Sequence, residues 1–182
     1  MTWEPWRSPG DNNGWGSDMR DEALFTREVN AYKGTMYRLA FGYLQNRADA
    51  EDVVQNVLLK LYCSERRFES EEHVKRWLIR VTVNECTSLY RVLRRRPENI
   101  DDYIETLAAP SSRHAELVRA VMELPVRYRG AVYLYYFEGY ATGEVAELLG
   151  VPAATARTWL ARGRRRLRGI LDGGCDEKGG AR

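Results

Sequence analysis

A break at Gly150 to Pro152 constrains the fold most, because it separates two segments with helical periodicity. Before the break, apolar residues fall at Val145, Leu148 and Leu149, and after it an apolar stripe continues in steps of three and four to Leu171. Glycine lets the chain turn, and proline is tolerated in the first turn of a helix because its missing N–H has no partner there. Two helices joined by a short turn, a helix-turn-helix, are therefore predicted.

The rest of the chain has the same apolar spacing and nowhere shows the alternation that is typical of strands. We predict seven helices, at Met19–Tyr43, Asp49–Tyr62, Val74–Arg95, Ala115–Glu123, Pro125–Glu138, Thr142–Leu149 and Ala153–Leu171. A polar loop, Glu65 to Glu72, separates the second helix from the third, and an acidic stretch with Pro110 follows the third. The predicted fold is all-α, with two small helical domains joined by a linker and the helix-turn-helix in the second domain.

Composition sets the expected domain boundaries. Residues 1–18 are rich in Gly, Pro, Asn and Ser and are predicted to be a disordered leader, although they carry three tryptophans. The first domain is expected at 19–96, the linker at 97–113, the second domain at 114–171 and a loose tail at 172–182. No signal core and no apolar run of bilayer length is present, so we expect a cytoplasmic protein without membrane insertion.

Charge and cysteine usage exclude several classes of protein. The net charge of +2 says nothing about partners, but arginines cluster at Arg91 to Arg96 and Arg157 to Arg168. Three widely spaced cysteines argue against a disulfide framework. A zinc site built from His73, Cys63 and Cys86 lacks ligand spacing, so both cysteines are interpreted as small core hydrophobes. No catalytic constellation or cofactor motif occurs, and neither an enzyme nor a bound cofactor is expected.

The last predicted helix divides into an inward and an outward face at 100° per residue. The inward stripe is Ala156, Leu160, Gly163, Leu167, Ile170 and Leu171. The outward face is Thr155, Arg157, Thr158, Ala161, Arg162 and Arg165. Small residues near the N-terminus let a helix enter a DNA groove, and arginines further along reach phosphates. A solvated basic helix is the alternative, but the preceding helix and turn favour DNA recognition. Trp159, at the edge of the stripe, is expected to pack, with contact to a base as the alternative role.

The third predicted helix has two apolar stripes and a narrow polar face that contains no acid. The stripes are Val74, Leu78, Val81, Leu89 and Val92, and Ile79, Val83, Cys86 and Tyr90. The polar face is Arg76, Arg80, Asn84, Thr87, Arg91 and Arg94. Such a line suits a nucleic-acid backbone and its bases, whereas an ordinary solvated face more often pairs glutamates with basic residues. Trp77 borders the face, as a core residue or as a platform for an unpaired base.

The second predicted helix carries a leucine on its polar side. Its inward residues are Val53, Val54, Val57, Leu58 and Leu61, and its outward residues are Asp52, Gln55, Asn56 and Leu59. A single exposed leucine is unremarkable by itself. A leucine surrounded by an acid and two amides also fits a protein-docking patch. A metal or catalytic role for the acids is not supported, because no base or further ligand lies nearby.

Three stretches together resemble a known family. They are RADAEDVVQNVLLKLY, EEHVKRWLIRVTVNECTSLYR and LPVRYRGAVYLYYFEGYATGEVAELLGVPAATARTWLARGRRRLRGIL. In this order and spacing they resemble the sigma factors of bacterial RNA polymerase, of the small extracytoplasmic-function (ECF) type that keeps only conserved regions two and four. The resemblance covers about Glu22 to Leu171.

The resemblance implies a partner for each face. The helix with Asp52, Gln55, Asn56 and Leu59 would dock on the β′ clamp helices of core RNA polymerase, whose β flap is a further contact. The face Arg76, Trp77, Arg80, Asn84, Thr87 and Arg91 would read and melt the −10 element of promoter DNA, and the loop Phe68 to Glu72 would hold a flipped base. The last helix, through Thr155, Arg157, Thr158, Arg162 and Arg165, would read the −35 element. The linker would run near the RNA exit path, and an anti-sigma factor is a further expected partner.

The chain departs from the family pattern at a few positions, and two other functions remain open. Ala141 replaces a capping serine, so Thr142 is expected to cap instead. Ala156, Trp159 and Gly163 replace a larger aliphatic, a basic residue and a better helix former. A stand-alone helix-turn-helix regulator is the main alternative, and it needs a dimer interface or sensor domain. A nucleic-acid enzyme lacks the necessary residues.

Overall fold

The computed structural model describes residues 21–64, 66–93 and 112–173, and in them every regular element is helical. The helices are α1 Glu22–Leu44, α2 Arg47–Tyr62, α3 Glu71–Leu93, α4 Ser112–Met122, α5 Val126–Val132, α6 Thr142–Leu149 and α7 Ala153–Gly173. A π-helical turn, Tyr133–Phe137, continues α5. The prediction of an all-α fold is confirmed, while the single helix expected at Pro125–Glu138 is divided into these two parts.

Two helices begin earlier in the chain than the apolar pattern predicted, because polar side chains cap their first turns. Asn46 accepts a hydrogen bond from the backbone N–H of Asp49 at 2.8 Å, and α2 begins directly after it. Ser70 accepts one from the N–H of His73 at 3.1 Å, and α3 begins at the next residue. The apolar pattern marks the first buried position of a helix, whereas the cap marks its first turn.

The helix-turn-helix is present, with α6 and α7 on either side of the turn. Gly150 has a left-handed φ of 66°, which a residue with a Cβ rarely adopts. The Val151 N–H donates to the carbonyl of Ala146 at 3.0 Å, and the Pro152 carbonyl accepts from the Thr155 N–H at 2.9 Å. These bonds close the end of α6 and open α7, so the turn fixes the angle between the two helices.

The start of α6 corrects one expectation. Thr142 is the first residue of the helix, and Ala141 holds the cap position without a side-chain hydrogen bond. The Glu144 carboxylate accepts the N–H of Ala141 at 2.9 Å. This bond satisfies one backbone donor at the helix end, as the glutamate of a capping box does, so the helix starts without a serine.

The helices form two groups that pack directly against each other. Helices α1 to α3 make the first group, α4 to α7 make the second, and α1 contacts α5 while α3 contacts α6. One buried cluster includes Met36 and Leu78 of the first group and Leu134 and Val145 of the second. The leader, most of the linker and the end of the tail lie outside the described residues, so the expected domain boundaries stay predictions.

Two further expectations concern membranes and metals. Among the described helices, none is long and apolar enough to cross a lipid bilayer. Nowhere in 21–64, 66–93 and 112–173 do three His, Cys, Asp or Glu side chains form a group that could hold a metal ion. Cys86 is fully buried, as predicted for a core hydrophobe, but Cys63 is exposed, so its assignment to the core is wrong.

Candidate nucleic-acid and polymerase interfaces

Helix α7 buries one face and exposes a cationic one. Ala156 and Leu160 on the inner face are 0% and 4% exposed. The exposed outer side chains are Arg157, Thr158, Arg162 and Arg165, and Thr155 is half-buried. The predicted division of this helix into a buried and an exposed face is confirmed.

Two members of the outer face have partners within the protein. The Thr158 hydroxyl donates to the carbonyl of Ala154 at 2.9 Å. A hydrogen bond from Arg162, followed by the charge of Arg127, holds the pKa of Tyr128 below its usual value. Exposed Arg157 and Arg165 are therefore the strongest candidates for contacts with DNA.

Gly163 and Trp159 explain how α7 is held against the second group. A Cβ at Gly163 would lie 2.9 Å from Cγ2 of Val132, so glycine allows α7 to approach α5 closely. Trp159 is half-buried and packs against both apolar clusters of the protein. The expected packing role of Trp159 is confirmed, and the poor helix propensity of Gly163 is offset by close packing.

The polar face of α3 is only partly exposed. Asn84 and Arg91 are exposed, whereas the Thr87 hydroxyl donates to the carbonyl of Val83 at 2.7 Å. Trp77 is 8% exposed and contacts Phe68 edge-on, with ring centroids 5.6 Å apart. Trp77 is therefore a core residue in this arrangement.

One residue of the predicted apolar stripes of α3 lies outside the core. Tyr90 is 52% exposed and so does not pack inward as expected. Arg94 lies outside the described residues.

The arginines at the start of this face bind α6 of the second group. Arg76 places Nη1 2.6 Å from Oε1 of Glu144 and Nη2 2.6 Å from Oε2 of Glu147. The sequence pattern showed a face without acids, and the acids come from a helix about seventy residues further along the chain. Arg76 and Arg80 are thus half-buried in a contact between domains instead of lying open to solvent.

Arg80 binds the last turn of α6. Its Nη1 donates to the carbonyls of Glu147 at 2.7 Å and Leu148 at 3.0 Å. The last carbonyls of a helix lack intrahelical donors and carry the negative end of the helix dipole, so a guanidinium stabilises them. Burial lowers the pKa of Arg80 from its usual value, and the nearby Tyr43 opposes that shift.

A second polar cluster joins the two groups beside the π-helical turn. Lys75 lies 3.0 Å from Glu138 Oε2, and the Tyr133 hydroxyl donates to Glu138 Oε1 at 2.7 Å. Arg38 Nε donates to the Tyr133 hydroxyl at 3.1 Å. Burial raises the pKa of Glu138, but the hydrogen bonds from Tyr133 and Lys75 outweigh it and leave that pKa below its usual value.

A third contact uses a buried arginine of α5. Arg129 donates to the carbonyls of Gly42 in α1 and Leu124 in its own group, and burial lowers its pKa to about 10. Gln45 donates to the carbonyl of Met122 at 2.8 Å. Sequence reasoning missed these residues, because Gly42 lies 87 residues from Arg129 and Met122 lies 77 residues from Gln45, and no local spacing connects them.

The docking patch predicted on α2 is open. Asp52, Gln55 and Asn56 are exposed, and Leu59 is 61% exposed, the most exposed of the described large apolar side chains. Val57 and Leu61 on the opposite side are fully buried. The predicted orientation of α2 is confirmed, and neither helix group covers this patch.

The segment predicted to hold a flipped base borders a cavity in the described part of the chain. The cavity has a volume of about 610 Å³ and is lined in part by Arg27, Arg66, Arg67, Phe68 and Ser70. The segment Phe68 to Glu72 is a loop only as far as Ser70, because its last two residues belong to α3.

Sequence reasoning also missed three exposed aromatic residues of the π-helical turn: Tyr135, Tyr136 and Phe137.

Comparison with known proteins gives this arrangement a family. The family model for sigma-70 region 2 matches residues 29–96, and the model for sigma-70 region 4 matches residues 114–167. The RNA polymerase sigma factor SigV of Bacillus subtilis is 31% identical over 150 residues, which cover 81% of this chain and 90% of SigV. The chain belongs to the RNA polymerase sigma factors of ECF type. The helix groups α1 to α3 and α4 to α7 are its regions two and four.

Other relatives and two solved structures agree with this sigma factor fold. The ECF sigma factor SigM of Mycobacterium tuberculosis is 29% identical over 155 residues, covering 83% of this chain and 79% of SigM. The sigma factor RpoE of Bartonella quintana, solved with the anti-sigma factor NepR, has a TM-score of 0.63 at 21% identity and covers 82% of this chain and 97% of its own. CnrH, solved with the cytosolic domain of CnrY, has a TM-score of 0.62 at 22% identity, and the match covers 84% of this chain and 90% of CnrH.

Membership in this family decides between the functions left open by the sequence. The protein is a sigma factor that directs promoter recognition at the start of transcription. A stand-alone helix-turn-helix regulator is not favoured, because region two accompanies the helix-turn-helix in one chain.

Proposed function

We propose that three faces divide the work of this sigma factor. The α2 patch, Asp52, Gln55, Asn56 and Leu59, binds the β′ clamp helices of core RNA polymerase. The α3 face, Arg76, Trp77, Arg80, Asn84, Thr87 and Arg91, engages the −10 element as single-stranded DNA. The α7 face, Thr155, Arg157, Thr158, Arg162 and Arg165, reads the −35 element in the major groove. Region two then spans 19–96 and region four 114–171, and region four also meets the β flap.

The observation that carries this proposal is the outer face of α7. It is exposed and cationic, its opposite face is buried at Ala156 and Leu160, and a glycine turn precedes it. Recognition helices have this construction, with residues near the N-terminus at base edges and arginines at phosphates. The exposed Leu59 on α2 supports the polymerase contact, because an isolated leucine among polar side chains is the kind of residue that an interface buries.

The partners follow from the relatives. Since those proteins are named RNA polymerase sigma factors, we infer that this chain acts without chemistry of its own, on core polymerase and promoter DNA in the cytoplasm. Both solved neighbours are complexes with other chains, and NepR is an anti-sigma factor, so an anti-sigma factor is also proposed here.

The test is run-off transcription with purified core polymerase on a library of genomic fragments. The full-length chain should direct initiation at a small set of promoters that share an upstream and a downstream element. The chain alone, without core polymerase, should bind the same double-stranded fragments only weakly. Tight binding of the chain alone to those duplexes, without any effect on transcription, would support the stand-alone regulator instead.

A further inference from the structure

Tyr128 of α5 lies among the guanidinium groups of three arginines. The guanidinium carbon of Arg127, the preceding residue, is 5.0 Å from the centre of the Tyr128 ring, and that of Arg166 in α7 is 5.9 Å away. A hydrogen bond from Arg162 is the main cause that holds the pKa of Tyr128 below its usual value, and Arg127 acts in the same direction. Two helices therefore supply an arginine cluster, Arg127, Arg162 and Arg166, around one phenol group.

Gly163 brings α5 and α7 together at this point. A Cβ at Gly163 would lie 2.9 Å from Cγ2 of Val132 and 3.6 Å from Cβ of Tyr128, so a larger residue would require α7 or its neighbours to shift. Arg162 directly precedes this glycine, and Arg166 follows it by three positions. Residues four apart share one side of a helix, so the close contact carries both arginines to Tyr128.

The arginine cluster consists of hydrogen-bond donors that no acid of the described helices balances. A guanidinium has five N–H donors and no acceptor, so a bond to Tyr128 leaves donors for a further partner. None of the ion pairs within 21–64, 66–93 and 112–173 joins a member of the cluster to a carboxylate. The partner that fits is therefore an anion that accepts several hydrogen bonds, as a phosphate group does.

The arginine cluster lies at the edge of the face proposed to read the −35 element. All three arginines are exposed, and Arg162 and Arg166 are only about 40° apart around α7. When a helix lies in the major groove, its centre meets base edges and its sides meet the sugar-phosphate backbones that border the groove. The edge of α7 next to α5 is therefore placed to meet one of the two backbones.

We propose that the arginine cluster, held in place by Tyr128, binds a backbone phosphate of the DNA strand that borders the −35 element on the α5 side. The inference deepens the proposed reading of this element by α7 and rests on it. It extends the DNA interface to α5, through Arg127. Tyr128 is a positioning residue, because its contacts restrict the guanidiniums before DNA arrives and so reduce the side-chain entropy lost on binding. A phosphate contact sets affinity and register, and it does not set the choice of promoter sequence.

Two substitutions remove separate parts of this site. Tyr128→Phe takes away the hydroxyl and keeps the ring in its apolar cluster. Arg127→Gln takes away one charge at an exposed position. The matched controls are Tyr90→Phe, which removes a hydroxyl from an exposed tyrosine of α3, and Arg119→Gln, which removes one charge from an exposed position of α4.

The measurement is the affinity of reconstituted holoenzyme for a duplex promoter that the wild-type holoenzyme transcribes. Backbone phosphates that flank the −35 element are replaced one at a time by uncharged methylphosphonate. One replacement should weaken binding by wild-type holoenzyme about three- to tenfold, as expected for a partly exposed charged contact. The same replacement should have less effect on Tyr128→Phe and Arg127→Gln, because their contact with that phosphate is already weakened. Both controls should respond to every replacement as wild type does.

The salt dependence of binding gives a second readout. The slope of log affinity against log salt concentration should fall by about one in Arg127→Gln, because one fewer phosphate is neutralised. It should stay at the wild-type value in Arg119→Gln. Since Arg127 is exposed, this variant tests the inference even if Tyr128→Phe disturbs the packing around the ring.

The outcomes separate this inference from the function on which it rests. Equal effects of every replacement on Arg127→Gln and wild type, or an unchanged salt slope, would overturn the phosphate site while the reading of base edges by Arg157 still stood. Coupling in Arg127→Gln without coupling in Tyr128→Phe would remove the positioning role of the tyrosine. A wild-type holoenzyme that binds equally well to a promoter with a scrambled −35 element would overturn the proposed role of α7, and the phosphate site with it.

Discussion

Arg80 of α3 and Gly150, which ends α6, lie so close that a Cβ at Gly150 would sit 2.5 Å from an Arg80 guanidinium nitrogen. Gly150 also has a φ of 66°. The same glycine therefore turns the helix-turn-helix and admits an arginine of the other domain, which gives it two separable contributions to stability.

Gly150→Ala should lower the free energy of unfolding by more than Gly139→Ala does. Gly139 also has a positive φ, 78°, but a Cβ there meets nothing within 4 Å. Backbone strain alone should cost about 1 kcal/mol at Gly139, and displacement of Arg80 should bring the cost at Gly150 to about 2–3 kcal/mol. Urea denaturation followed by circular dichroism measures both. Equal costs would show that Arg80 is not held by the turn.

Leu59→Arg combined with Gln55→Ala should weaken binding to core polymerase at least about tenfold, because the leucine is the apolar centre of an otherwise polar patch. Stability should change by less than about 0.5 kcal/mol, since both positions are exposed. Leu61→Ala, on the buried side of α2, should lower the free energy of unfolding by about 2–5 kcal/mol and remove no direct contact with core polymerase. Wild-type affinity for core in the first variant would remove α2 from the docking surface.

Asn84→Ala should impair promoter opening more than Thr87→Val does. The Asn84 amide is exposed, whereas the Thr87 hydroxyl already donates to the carbonyl of Val83. Permanganate footprinting of unpaired thymines by reconstituted holoenzyme separates the two effects from core binding, which should stay unchanged. The proposed reading role moves from Asn84 to Thr87 if the valine variant is the one that fails to open DNA.

Arg157→Ala should change which upstream sequences direct transcription. Arg165→Ala should change only the strength of transcription, and by the same factor for all upstream sequences. Arg157 lies in the first turns of α7, where base edges are contacted, and the loss of such a contact costs about 1–3 kcal/mol at one position. Arg165 lies two turns later, and loss of a phosphate contact should lower the salt slope by about one. Transcription from a library randomised in the upstream element, at two salt concentrations, tests both. The opposite assignment would mean that α7 enters the groove in another orientation.

Glu138→Gln should destabilise the protein at pH 7 but have little effect in acid. The pKa of Glu138 lies below its usual value in the folded protein, with hydrogen bonds from Tyr133 and Lys75 overcoming burial. The unfolded chain therefore takes up the proton first as pH falls, so this stabilisation is complete above about pH 5 and is lost as pH falls through the lowered pKa. Urea denaturation should give a difference of about 1–3 kcal/mol at pH 7 that shrinks towards pH 3. A constant difference across this range would exclude ionised Glu138 as the source.

The outward faces of α2 and α7 were predicted correctly because helical periodicity is a local property. Residues three and four apart share a face, so Leu59 and Arg157 could be placed outward without knowledge of other helices. Helix starts were less accurate, because Asn46 and Ser70 cap with polar side chains, which carry no apolar signal. The π-helical turn after α5 was also missed, since its apolar pattern resembles that of an ordinary helix.

By itself the sequence determined the class of fold, the helix-turn-helix and the family, all of which follow from spacing over a few residues and from three motifs in order. Only the tertiary structure decided what the arginines at the start of α3 touch. Arg76 reaches Glu144 and Glu147 across about seventy residues of chain, and which acid meets which arginine depends on how two domains pack. A helix face with no acidic residue of its own can therefore still meet acidic side chains from another helix in the folded protein. Ion pairs depend on the distance between charges in space, and helical spacing fixes that distance only for residues of the same helix.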